Sequence, residues 1–163
     1  MIGQSIMAIG LIKEAVFIFE KLGHAARGML GGCHNSLGGC HQSLGEHLEA
    51  TQQFQHACAI AKELGDLPGQ RNALNNLGEC YRSLLQLEQA IEVLEQAQEM
   101  TGVGTQTSQS TMCCNLACCY MSLGQFHRAV GIFKQDRAIM EEVGNRAGLG
   151  QSLNHLGGYY IIS

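Results

Sequence analysis

The stretch Asn76-Leu77-Gly78-Glu79-Cys80-Tyr81, continued by Leu84, Ala90 and Leu94, decides how this chain folds. Leu77, Tyr81 and Leu84 fall four and three residues apart, the spacing of one face of an α-helix. Ala90 and Leu94 open a second face of the same kind after a short break. The pattern then recurs along the chain. Leu37, Leu77, Leu116 and Leu156 are separated by 40, 39 and 40 residues. The position after each holds Gly38, Gly78, Ala117 and Gly157, and the position four past each holds His41, Tyr81, Tyr120 and Tyr160. Further slots hold Leu44, Leu84 and Leu123, then Ala50, Ala90 and Ala129, then Phe54, Leu94 and Phe133. A degenerate copy opens the chain, with Ile2, Gly3, Ile6, Ile9, Gly10, Ala15 and Phe19 in the same slots.

Each unit therefore reads as two helices joined by a tight turn. Gly10, Gly45 and Gly124 fill the turn, where a residue with φ > 0 closes a helix, and Leu85 replaces the glycine in one copy. Gly23, Gly65, Gly102 and Gly144 end the second helices. The linkers run through Leu64-Gly65-Asp66-Leu67-Pro68-Gly69, Thr101-Gly102-Val103-Gly104 and Val143-Gly144-Asn145-Arg146-Ala147-Gly148, with Asp66 and Asn145 as N-caps. Gly3, Gly38, Gly78 and Gly157 are expected to let helices approach closely, a reason that does not extend to Gly39 or Gly158. The expected architecture is all-α, a right-handed superhelical solenoid of antiparallel helix pairs in a single array over 1–163. It divides into a degenerate repeat at 1–28, repeats at 31–65, 71–102 and 110–144, and a lone first helix at 150–163.

Composition supports a folded, non-basic protein. The 163 residues are 45% hydrophobic and 15% charged, and carry a net charge of −4. An acidic balance without clustered Lys or Arg argues against nucleic acid. No apolar run approaches the roughly 20 residues of a membrane span. The N-terminus lacks a signal-peptide pattern, and Lys13, Glu14 and Glu20 interrupt it, so a cytoplasmic protein is expected. Its eight cysteines are accordingly expected to be reduced and mostly buried. The last unit stops after one helix, at Tyr159-Tyr160-Ile161-Ile162-Ser163, and the first is apolar through Ile6-Met7-Ala8-Ile9 and Ala15-Val16-Phe17-Ile18-Phe19. A fragment of a longer array is expected, the alternative being self-association through these apolar ends.

The pattern resembles the tetratricopeptide repeat, and within it the longer Leu-Gly-Asn-rich subclass of adaptor repeats. Asn76-Leu77-Gly78, Asn115-Leu116-Ala117, Asn154-His155-Leu156-Gly157 and Gly144-Asn145-Arg146-Ala147-Gly148 carry the resemblance. It implies that first helices line a concave groove that binds a peptide or helical segment of a partner protein. The slots it places on the groove give Asn35, Asn72, Asn75, Asn76, Glu79, Arg82, Asn115, Met121 and Asn154 as partner-binding residues. A carboxamide offers donors and acceptors together, so a ladder of them suits a peptide main chain of any sequence. Arg82 is assigned to an acidic residue of the partner, or else to an ion pair with Glu79 one turn away. Chaperone-binding relatives hold a terminal carboxylate with cations in these slots; here Asn35, Asn75 and Cys114 stand there instead, which argues against such a clamp.

Cys40, Cys80 and Cys119 share one slot, where Cys acts as a small hydrophobe. Cys113-Cys114 and Cys118-Cys119 are sharper, because Cys114 and Cys118 are neighbours on a helix and give the alternative of a thiol-based redox or metal sensor. One helix face supplies two ligands where zinc needs four, and the Cys33-His34 and Cys40-His41 pairs lack a knuckle spacing, so no metal is assigned. His41 stands for a Tyr in a packing slot. Phosphate-loop, hydrolase-elbow and metalloprotease motifs are missing, so no catalytic residue and no cofactor are assigned. The expectation is a non-catalytic scaffold.

Overall fold

The computed structural model describes residues 2–100, 106–142 and 144–162, with side chains except at 2, 106–108, 155 and 159–162. The linker at 101–104 with the helix-ending role of Gly102, and the side chains of His155 and Tyr160, lie outside this set. The described residues form α1 (Ile2–Leu22), a 3-10 turn (Gly23–Ala26), α2 (Arg27–Ser43), α3 (His47–Leu64), α4 (Leu67–Ser83), α5 (Leu87–Glu99), α6 (Gln106–Ser122), α7 (Phe126–Glu142) and α8 (Arg146–Ile162). Each helix packs on the next, and α6 also touches α4 and α8, so the inner helices α2, α4, α6 and α8 stand in a row. The chain is a right-handed solenoid of helix pairs.

The repeated slots make the core. Leu37, Leu77, Leu116 and Leu156 are buried on the inner helices. Ala50, Ala90 and Ala129 are each 0% exposed on the outer helices, beside buried Phe54, Leu94 and Phe133. A Cβ on Gly38 would stand 2.6 Å from Phe54, and one on Gly78 2.4 Å from Leu94. Those two glycines are what allow α2 to meet α3 and α4 to meet α5. Cys80 and Cys119 are fully buried in their shared slot, while Cys40 is half-buried.

The joints follow local chemistry. Gly65 and Gly144 take φ of 67° at the ends of α3 and α7, and Gly23 takes 65° after α1. Asp66 Oδ1 accepts from the Gly69 N–H and Asn145 Oδ1 from the Gly148 N–H, each at 3.0 Å, capping α4 and α8. Gly45, Leu85 and Gly124 make the three turns inside helix pairs, with φ of 78°, 60° and 72°.

The opening segment departs from the expected helix pair. Gly10 makes no turn; it lies inside the continuous 21-residue α1. The reason is the unbroken stripe Ser5, Ala8, Ile9, Ile12, Ala15, Val16 and Phe19, which is half-buried along its whole length and would be cut by a turn at Gly10. This stripe stands 42 positions ahead of His47, Ala50, Thr51, Phe54, Ala57, Cys58 and Ala61 on α3. Helix α1 therefore holds an outer-helix place, and Ala8 and Ile12, two turns before the expected Ala15 and Phe19, correspond to Ala50 and Phe54. Gly3 and Gly157 are also corrected as close-approach glycines: a Cβ on either meets nothing within 4 Å.

Candidate functional site

The inner row brings the expected carboxamides together. Asn76 Nδ2 donates to Asn35 Oδ1 and Asn115 Nδ2 donates to Asn75 Oδ1, both at 3.3 Å. The two bonds share one register: the residue before Leu77 and before Leu116 reaches the residue two before the leucine of the preceding repeat. All four are half-buried. Each bond uses one N–H and one lone pair, so each pair retains further donor and acceptor capacity. Asn72 and Asn154 are exposed on α4 and α8, and Glu79 and Met121 half-buried on α4 and α6. Asn35 and Asn72 line a cleft of about 190 Å³ between α2 and α4, walled by Gly28, Gly31, Gly32 and Gly69.

Arg82 is not held by Glu79; among the described residues the ion pairs are Arg27–Glu63, His41–Glu46 and Arg137–Glu141. Its Nε is buried without a hydrogen-bond partner. The guanidinium charge acts instead on Cys118 and Cys119 of the next inner helix. The Cys114 thiol hydrogen-bonds Cys118, and that bond, with Arg82, pulls the Cys118 thiol well below its ordinary range against the opposing effect of burial. Cys114, which keeps the shared proton, is pushed up. Burial raises the Cys33 and Cys58 thiols and takes Cys80, Cys113 and Cys119 to about 11.

The bonding of several polar groups escaped the sequence reading. Asp136, in a slot held by Ala57 and Ala97 elsewhere, is buried and accepts hydrogen bonds from the hydroxyls of Ser110 and Ser152. The two serines were the signal, since they lie where a buried carboxylate needs donors. Tyr81 Oη accepts from Gln55 Nε2 at 3.0 Å, and Tyr120 Oη donates to Glu95, so these two tyrosines tie α4 to α3 and α6 to α5, in each case the outer helix before. His41 in that slot turns to Glu46, 2.6 Å away. A larger cavity of about 670 Å³ lies among α1, α2 and α3, and includes Phe19, Arg27, His34, His56 and Glu63. The His34 and His56 rings are 5.0 Å apart, and His34 Nδ1 is 2.9 Å from Gln53 Oε1. Among the described residues, no three His, Cys, Asp or Glu side chains converge as a metal site. None of the described helices is long and apolar enough to cross a membrane.

A stacked row of helix pairs with a polar inner face defines the class of α-solenoid repeat proteins. Tetratricopeptide repeat family models match residues 32–101 and 113–147, well over half of the chain, and the chain belongs to this family. No curated protein sequence matches it. Among solved structures it is similar to BtubC from P. vanneervenii, at 21% identity and a TM-score of 0.78, covering 96% of this chain and 66% of that one. It is also similar to aspartyl phosphate phosphatase F from Bacillus subtilis, at 20% identity and a TM-score of 0.81, covering 92% of this chain and 39% of that one. A Rap protein complexed with Competence and Sporulation Factor aligns at 17% identity and a TM-score of 0.70, covering 98% of this chain and 50% of that one. The chain thus spans less than two thirds of the length of these three proteins.

Proposed function

We propose that this chain is a non-catalytic scaffold that holds a peptide or helical segment of a partner protein along its inner helix row. The observation that carries this reading is the pair of carboxamide bonds, Asn35–Asn76 and Asn75–Asn115, which spaces free donors and acceptors one repeat apart. Asn72, Asn154, Glu79 and Met121 extend the surface, and Asn76, Asn115 and Asn154 are among the residues on which the resemblance to Leu-Gly-Asn-rich adaptors rests. Arg82 meets an acidic side chain of the partner. The Rap protein, whose structure is a complex with Competence and Sporulation Factor, supports a protein or peptide as the class of partner. The test is affinity capture from cells that express the protein, comparing wild type with a folded Asn76→Ala, Arg82→Glu, Asn115→Ala variant by mass spectrometry. A protein held by wild type and lost by the variant is expected; an unchanged captured set contradicts the reading.

A second reading, association of copies, has its own observation. Leu64 and Ile60 of α3 lie 3.8 and 3.0 Å from where Cβ atoms on Gly28 and Gly31 of α2 would stand. Their counterparts on α1, 42 positions earlier, are Leu22 and Ile18, which are 59% and 54% exposed. On α8 the counterparts of Gly31 and Gly38 are Gly150 and Gly157, both open. The α1 face of one copy thus matches the α8 face of another as an outer helix matches an inner one, in a head-to-tail contact. Mass that rises with concentration in wild type, but not in Ile18→Asp with Leu22→Asp, supports it; a constant monomer mass rejects it.

A further inference from the structure

The helix pair α2–α3 differs from α4–α5 and α6–α7 at one set of repeated slots. Three residues before the repeat leucine stand His34, Leu74 and Cys113. Leu74 and Cys113 are buried, whereas His34 is half-buried. The slot 19 positions after each holds Gln53, Val93 and Ile132. Val93 and Ile132 pack against the core, while Gln53 Oε1 lies 2.9 Å from His34 Nδ1. An amide oxygen only accepts, so Nδ1 carries the proton and the Nε2 lone pair is left for another partner. His34 opens on the cavity of about 670 Å³ among α1, α2 and α3, and so does His56, three residues after Gln53. The two ring centroids are 5.0 Å apart and the planes are tilted by 34°. Two imidazoles that share one ion through bonds of about 2.0 Å at tetrahedral angles hold their centroids about 5 Å apart.

We infer that His34 and His56 are the two protein ligands of a divalent transition-metal site, with Gln53 as their positioning residue. His34 binds through Nε2. Gln53 holds its tautomer and ring orientation, as the outer hydrogen bond of a ligating histidine does. Neutral imidazole suits zinc, nickel and copper rather than the hard cations magnesium and calcium. Among the described residues no third His, Cys, Asp or Glu converges with the pair. The remaining positions on the ion therefore go to water or to an exchangeable ligand, for which the cavity has room. Closed structural zinc sites use four protein ligands, so a site with two exchanges its ion and responds to the supply of metal. The bound ion ties inner helix α2 to outer helix α3 where the other pairs are joined by apolar packing. Nothing in this site depends on the groove reading.

The probe is Co²⁺ added to the reduced full chain, followed by visible absorption and calorimetry. The first equivalent is expected to bind with nitrogen and oxygen ligation, without a thiolate-to-cobalt charge-transfer band. His34→Leu and His56→Gln match Leu74 and Gln96 in the same slots of the next repeat, so both variants should fold. Each should weaken binding at least about tenfold, since even outer partners of a metal ligand are worth that much. Gln53→Val, matching Val93, should weaken it about tenfold. It should also change the nitrogen-15 NMR signature of the His34 tautomer in the metal-free protein, which a purely structural role would not do. Equal binding by wild type and both histidine variants overturns the site. So does a thiolate band with the first equivalent, or no binding by wild type. A loss at both histidines with an unchanged His34 tautomer in Gln53→Val overturns the role given to Gln53. No partner enters these measurements, so failure here is distinct from failure of the groove.

Discussion

Leu85 turns the chain and Gly10 does not. In the repeat at α4 and α5 a leucine takes φ of 60° with its side chain 82% exposed. In the opening segment a glycine, which enters that conformation freely, stays inside α1. What separates them is packing on both sides of the joint. Around Leu85, Leu77 and Leu94 are buried on facing helices, and Gly78 lets the helices close. The turn is forced whatever residue occupies it. Around Gly10 one stripe from Ser5 to Phe19 lies on α2, and a turn would gain no second buried face. A turn glycine lowers the cost of a joint that burial has already decided.

The largest effect that should separate the two regions comes from the close-approach glycines. Gly78→Ala places a methyl 2.4 Å from Leu94 and should cost about 2 kcal/mol, whereas Gly3→Ala in the opening segment meets open space and should not destabilise. Urea unfolding of both variants checks this; equal effects would break the comparison. Next, Gly10→Ala should stabilise by about 1 kcal/mol, because alanine suits a helix interior better than glycine. A loss of stability there would mean that Gly10 serves a turn after all. The smallest shift belongs to Leu85→Gly, which should gain about 0.5 kcal/mol once relief of the left-handed strain is set against the added freedom of the unfolded chain.

A separate prediction concerns the buried carboxylate. Ser152→Ala removes a hydrogen bond to Asp136 and should cost about 2 kcal/mol, measured by thermal unfolding. Replacing Asp136 by Ala in the same chain should recover much of that loss, since Ala57 and Ala97 fill this slot in the other repeats.

The fold was legible because period and burial agree. Leu37, Leu77, Leu116 and Leu156, with the alanine slot and Phe54, Leu94 and Phe133, are buried as their spacing implies, and Asp66 and Asn145 cap where their side chains imply. The opening helix misled because seven residues are close to two turns, so Ala15 and Phe19 fall on the same stripe as Ala8 and Ile12. The asparagine slots were also readable, though their bonding to one another was not, because it depends on the offset between neighbouring inner helices. Arg82 shows the same limit. Sequence spacing offered Glu79 as a partner, while the charge acts on Cys118 and Cys119, 36 and 37 positions further along. Contacts between repeats follow superhelical geometry, which no single helix displays.

The most direct test of the groove reading is a photo-crosslinking comparison of the two faces. A benzophenone amino acid at Asn72, exposed on inner helix α4, is compared with one at Gln96, exposed on outer helix α5. The account predicts that the partner found by affinity capture crosslinks at position 72 and not at position 96. Crosslinking at position 96 alone, or equally at both, would contradict it.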